Sequence, residues 1–127
     1  LLGDYRSNIL DIVEAHGGMV DKFIGDGALV LFGLTQETRT AARQSVLAAT
    51  ELLERLDKWN LRRASRDKPA IAIGIGLHMG SVVVGAIGDE RRLEFTVIGD
   101  EVNVAARIEQ ATKSTQFPLL ASSAVFE

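Results

Sequence analysis

Apolar residues recur at the start of the chain at Leu1, Leu2, Tyr5, Ile9, Ile12 and Val13. Steps of three and four put them on one helix face, so the pattern predicts a helix running to His16. Gly17-Gly18 stops it, as glycine commonly does after a helix. The period then changes to two. Val20 to Ile24 and Ala28 to Phe32 read as short strands around a Gly-Asp-Gly turn, the chemistry of a tight hairpin. A second stripe at Ala42, Val46, Ala49, Leu53 and Leu56 predicts a helix from Thr38 to about Trp59. Leu61 to Pro69, "LRRASRDKP", reads as a polar, basic connection. From Ala70 to Met79 the alternation is clean. Ile71, Ile73, Ile75, Leu77 and Met79 share one side, and Ala72, Gly74, Gly76 and His78 the other. The second side is almost bare, so something must approach the backbone closely there. Ser81 to Ile87 and Leu93 to Ile98 predict another strand pair, with Gly88 to Arg92 as its charged tip. Glu101 to Thr112 predicts a short helix and Phe117 to Ala121 a last strand. Ser122 or Ser123 is placed to cap a further helix. Strands mixed with helices, without repeat or linker, imply one sheet with helices packed on it.

Composition narrows the class. The 127 residues make one domain, with 46% hydrophobic and 24% charged positions, enough apolar material for a core. The net charge of −3 speaks against a nucleic-acid partner, so a phosphate ligand would need a metal ion or a few placed cations. The absence of cysteine excludes disulfides, thiolate zinc sites and a cysteine nucleophile. No apolar run reaches the length of a membrane span, and no signal peptide opens the chain. The abrupt ends at Leu1 and Glu127 lead us to expect a domain cut from a larger protein.

Two segments carry candidate chemistry. Lys22 lies inside the first strand of the hairpin, and Asp26 sits at its tip between Gly25 and Gly27. The flanking glycines can take positive φ and leave the carboxylate open. A hard cation such as Mg²⁺ takes carboxylate oxygens in this kind of position; the plainer alternative is a turn aspartate that satisfies its own backbone. Lys22 and Asp26 are roughly 13 Å apart along a strand, which suits two different parts of a ligand, or two ligands. In "EFTVIGDEVNVAARIE", Glu94 to Glu109, a strand leads into a helix on which Asn103 and Arg107 share a face at i and i+4. An amide and a guanidinium together suit ribose hydroxyls and phosphate oxyanions; the alternative is a solvated polar face. His16, His78 and Trp59 read as structural. "GIGLHMG" is not a dinucleotide fingerprint, because its third glycine is misplaced and no helix follows.

Taken together, "DKFIGDGALVLFG", "GIGLHMGSVVVGAIG" and "FTVIGDEVNVAARIE" resemble the catalytic domain of class III nucleotidyl cyclases, the adenylate and guanylate cyclase family, and most of all its bacterial adenylate cyclases. The resemblance runs from about Ile9 to Ala121. It implies an α/β (α+β) fold, a ferredoxin-like sandwich with a mainly antiparallel sheet and helices on one face, here lacking the first strand. It implies conversion of ATP to cyclic AMP and pyrophosphate, with two Mg²⁺ or Mn²⁺ ions per site and two sites shared across a homodimer. On that likeness Lys22 and Thr96 read the base, Ile24 and Gly25 flank the metal-triphosphate, and Asp26 is the second of two metal-binding aspartates. Asn103 orients the ribose, and Arg107 stabilises charge on the transferring phosphate. Lys22 and Asp26 then serve different sites. Guanylate members usually carry Glu where Lys22 stands, which favours ATP.

The chain departs from the family in two places. No strand bearing the first metal aspartate precedes the first helix, and Asp4 is too close to that helix to replace it. The region of a further triphosphate-binding lysine is also missing. The expectation is therefore a catalytic domain over residues 1–127, truncated at both ends and inactive as an isolated piece. It would be cytoplasmic, alone or as the cytoplasmic part of a membrane-anchored parent, with no membrane contact of its own. A catalytically silent, nucleotide-binding regulatory domain and a ferredoxin-like protein-interaction module are the alternatives.

Overall fold

The structure is a computed structural model. It describes residues 2–25, 27–34, 36–80, 83–89, 92–98, 100–115 and 117–126, with backbone only for 2–3, 83–89, 92–98, 124 and 126. The chain divides into two compact units, Leu1–Val20 with Val30–Ile73, and Asp21–Leu29 with Gly74–Glu127.

The first unit is built on two helices, α1 (Leu2–Ala15) and α2 (Thr38–Ala64). The predicted stripe on α1 is the buried one: Ile9, Ile12 and Val13 are in the core, with Ile12 only 1% exposed. On α2 the deepest positions are Ala41, Ala48 and Ala49. Small side chains there let the two helices approach closely. The predicted α2 stripe is half-buried apart from Ala49, so the seam is offset from the larger residues that suggested it. Helix α1 ends in a double closure: Gly18 N–H donates to Val13 O at 2.9 Å and Gly17 N–H to Glu14 O at 3.1 Å, with Gly17 at φ 79°. An added side chain would also displace neighbours. A Cβ at Gly17 would enter the Gln36 side chain, and one at Gly18 would stand 2.7 Å from the Phe32 ring.

Helix α2 runs five residues beyond the predicted end, because Leu61, Arg62, Arg63 and Ala64 continue it. All four favour helix, and nothing in them breaks it. The true connection starts at Ser65 and folds back over the helix. Asn60 pairs reciprocally with the Ile71 backbone, donating to Ile71 O at 2.9 Å and accepting from Ile71 N–H at 2.8 Å, and Arg63 Nε donates to Pro69 O. Trp59 is therefore not at the helix end; its ring meets Tyr5 of α1 with centroids 6.5 Å apart.

His16 ties the two helices. Its Nδ1 lies 2.8 Å from Gln44 Oε1 and its Nε2 2.9 Å from Glu51 Oε2. Both partners accept, so the doubly protonated imidazolium matches the site best. Hydrogen bonding to Gln44, then to Glu51, raises the His16 pKa against an opposing effect of burial. A raised folded-state pKa adds stability below the unfolded value near 6.5, and that stability is lost as pH climbs through the folded value. The difference in thermal midpoint between the wild type and His16→Gln is expected to shrink as pH rises from 6 to about 8. A difference independent of pH would refute the charged bridge.

The second unit holds the hairpin of β1 (Met19–Ile24) and β2 (Gly27–Leu31), of which Asp21–Leu29 belong to it. Strands β3 (Ile75–Leu77) and β6 (Leu119–Ala121) form a parallel pair with Ile75 opposite Leu119. Strands β4 (Val83–Asp89) and β5 (Arg92–Ile98) pair antiparallel from Val83↔Ile98 to Asp89↔Arg92, so the ladder runs further into the charged tip than predicted. Helix α3 (Asp100–Ala111) packs on β3 and β6, followed by a 3₁₀ turn at Thr112–Ser114. Where a further helix was expected, a 3₁₀ turn spans Ser123–Phe126.

The long alternating run of 70–79 is regular strand only at Ile75–Leu77. A strand is defined by its partner, and β6 offers only three residues of ladder after Pro118. The mixed helices and sheets place the chain in the expected α+β class, with β3–β6 as its parallel element.

Candidate functional site

The bare side of the 70–79 segment is where α3 lies. A Cβ on Gly76 would stand 2.7 Å from the Ala105 carbonyl oxygen and run into the Glu109 backbone. One on Gly74 would meet Thr112, and one on Gly80 the Glu101 carboxylate. Glycine at Gly76 lets the helix backbone rest directly on the strand, while Gly74 and Gly80 on either side make room for side chains.

That seating decides where the candidate side chains go. Ala105 and Glu109 face β3. At 100° per residue, Asn103 and Arg107 lie on the opposite side of α3, one turn apart, and both are exposed. The helix thus presents an amide and a guanidinium outward as a pair, on a rigid support.

Helix α3 is also held at its start. His78, the one large side chain on the bare side, reaches it: Nε2 pairs with Glu101 Oε2, while Nδ1 lies 2.7 Å from Ser122 Oγ. The His78 side chain is only 13% exposed. From the sequence Glu101 reads only as a helix start and Ser122 only as a candidate cap, because both stand far from His78 along the chain; the available signal was a single polar side chain on an otherwise bare segment.

The hairpin gathers a second group. Lys22 is 46% exposed, with Nζ 3.4 Å from Asp21 Oδ2. The Asp21 side chain is fully buried and accepts no hydrogen bond among the described residues, so the Lys22 ammonium is its counter-charge. Ile24 is 62% exposed at the strand end. Gly25 takes φ 59°, and nothing lies within 4 Å of where a Cβ would be. Asp26 lies outside the described residues. Thr96 is placed by backbone register opposite Gly85.

Among the described residues no group of three His, Cys, Asp or Glu could hold a metal ion. These residues alone therefore do not make a metal site. Nor is any helix among them long and apolar enough to cross a membrane.

Known proteins resemble the chain along nearly its whole length. The chain is 36% identical over 124 residues to an adenylate cyclase of Anabaena cylindrica, covering 98% of this chain and 24% of that protein. It is 32% identical over 125 residues to adenylate cyclase 1 of Rhizobium meliloti, covering 98% of this chain and 19% of that protein. The chain thus spans a quarter or less of the length of these relatives. Among solved structures, the guanylyl cyclase Cya2 superposes with a TM-score of 0.84 at 34% identity, over 98% of this chain and 62% of that one. The adenylyl cyclase CyaB from P. aeruginosa gives 0.86 at 27% identity, over 98% and 64%. These neighbours support the ferredoxin-like assignment of the fold. Residues 1–124 match the adenylate and guanylate cyclase catalytic domain as a whole, and the chain belongs to that family.

Proposed function

We propose that this domain is the catalytic domain of an adenylate cyclase that converts ATP to 3′,5′-cyclic AMP and pyrophosphate in a homodimer with shared sites. The observation that carries the reading is the outer face of α3, where Asn103 and Arg107 stand exposed one turn apart on a helix seated against glycines. Asn103 orients the ribose through its hydroxyls. Arg107 faces the charge that develops on the α-phosphate as the 3′-oxygen attacks in line. The 3′-hydroxyl gives its proton to solvent as the 3′-O–Pα bond forms, the bond from Pα to the oxygen bridging the β-phosphate breaks, and pyrophosphate leaves with that oxygen.

Lysine only donates hydrogen bonds, so Lys22 addresses the N1 acceptor of adenine, and Thr96 accepts from the exocyclic amine. Turning to the base takes the Lys22 ammonium away from the buried Asp21 carboxylate, so the contact with N1 has to offset the loss of that pairing. Guanine carries a donor at N1 and would confront a donor. Ile24 and Gly25 flank the triphosphate, and Asp26 is the carboxylate this chain offers to a divalent cation, Mg²⁺ or Mn²⁺. A cation bound there would neutralise phosphate charge; the roles given to Lys22, Asn103 and Arg107 do not pass through it. The second subunit completes each site, and the exposed Ile24 is apolar surface for it to cover.

The runner-up is GTP as substrate, favoured by the likeness to the guanylyl cyclase Cya2. Initial rates of the full-length protein on the two nucleotides decide between them. We expect kcat/KM for ATP to exceed that for GTP by on the order of 100-fold, and Lys22→Ala to cut this ratio at least about tenfold. A preference for GTP in the wild type would transfer the reading to a guanylate cyclase.

A further inference from the structure

The glycine track that lets α3 approach β3 leaves a mechanical problem. Gly74, Gly76 and Gly80 admit the helix, but they offer no side chains to interlock with it. A smooth strand backbone does not by itself fix how far along it a helix sits. Interdigitated side chains normally do that. The position of Asn103 and Arg107 therefore depends on whatever anchors α3 lengthwise.

We propose that His78 is a positioning residue for the nucleotide site, holding Glu101 and so fixing where α3 sits along β3. This rests on the reading of Asn103 and Arg107 as the groups that meet ribose and phosphate. Glu101 lies in the first turn of α3, two residues before Asn103 and six before Arg107. Its side chain, about a third exposed, meets the His78 ring and lies against Gly80, where a Cβ would run into it. His78 is fixed in turn. Its Nδ1 lies 2.7 Å from Ser122 Oγ, and the Ser122 N–H donates to Leu77 O at 3.0 Å, which ties Ser122 to the last residue of β3, next to the histidine.

Proton placement follows from the partners. A carboxylate only accepts, so Nε2 carries the hydrogen shared with Glu101. In the neutral ring Nδ1 is then an acceptor, and the Ser122 hydroxyl donates to it. The Glu101 carboxylate thus sets the tautomer, and the Ser122 hydroxyl, which can donate or accept, adapts to it and holds the ring in place. No base is required of His78 and no nucleophile of Ser122: the three residues form a strut from the β3–β6 frame to the helix that bears the candidate catalytic pair.

The test compares Glu101→Ala and Glu101→Gln with the wild type in the full-length protein. Glutamine keeps an oxygen that accepts from Nε2; alanine does not. A displacement of the pair by about 1 Å costs up to 100-fold, so Glu101→Ala is expected to lower kcat by roughly 10- to 100-fold. Its KM should stay within about threefold of the wild type. Glu101→Gln should retain kcat within several-fold, which guards against a fold defect being mistaken for the effect. Wild-type kcat in Glu101→Ala, a loss confined to KM, or equal damage in both variants would overturn the proposal. Amide exchange is the readout that does not depend on turnover. In Glu101→Ala the first turn of α3 should exchange at least about tenfold faster, with α2 unchanged. Unaltered exchange there would overturn the strut even if the protein turned over neither nucleotide, a result that would separately refute the cyclase reading.

Discussion

Arg107→Ala in the full-length protein is expected to lower kcat by roughly 10²- to 10³-fold, the usual loss when a preorganised donor is removed from a developing oxyanion. KM for ATP should move by less than about threefold, because a group that meets charge appearing only in the transition state contributes little to ground-state binding. The fold should tolerate the change. Arg107 is exposed on α3, on the side turned away from the glycine contacts with β3, and surface substitutions of this kind usually shift stability by no more than about 0.5 kcal/mol. Steady-state kinetics together with a melting curve make the check. Equal losses in affinity and turnover would remove Arg107 from the role given to it. Lysine at this position should rescue only in part, since it restores charge but not the planar fork of donors.

The second large effect concerns which protomer supplies which group. Arg107 and Lys22 are assigned to one half of a site and Asp26 to the half contributed by the other subunit. Asp26→Asn and Arg107→Ala should each be nearly inactive as homodimers. When the two variants are mixed, the heterodimer has one site with both lesions and one with neither. An equimolar mixture that exchanges subunits freely should then recover about a quarter of wild-type activity, since half of the dimers are mixed and half of their sites intact. Lys22→Ala mixed with Arg107→Ala should show no gain over the two variants assayed apart, because no arrangement leaves a site whole. Recovery in the second mixture, or its absence in the first, would refute the proposed division of labour. The measurement is cyclic nucleotide formation after subunit exchange.

Local features were legible in the sequence. The α1 stripe and its double-glycine stop, the hairpin around Gly25 and Gly27, and the shared face of Asn103 and Arg107 all depend on residues a few positions apart. Periodicity reports on those. The bare strand face was legible as a demand for close approach, and α3 meets that demand at Gly76. What escaped depends on distant partners. The parallel pairing of β3 with β6 has no local signature, so the alternating run from 70 to 79 overstated the length of regular strand. The end of α2 was placed too early because the basic run at 61–64 was read for its polarity, whereas leucine, arginine and alanine support helix regardless of solvation. Glu101 was read as nothing more than a helix start, since only its meeting with His78 gives it a further task.

The pairing of β3 with β6 also bears on how the second unit becomes ordered. His78 and Ser122, which close the frame, are 44 residues apart in the chain. Bringing such distant positions together costs about 3 kcal/mol of loop entropy before any contact is made. Much of the intervening length is β4, β5 and α3, which can form early and shorten the effective loop. Residues 119–122 are translated after all of these. The nascent chain can therefore hold both long helices and the hairpins while β6, the one pairing partner of β3 among the described residues, is still to be made.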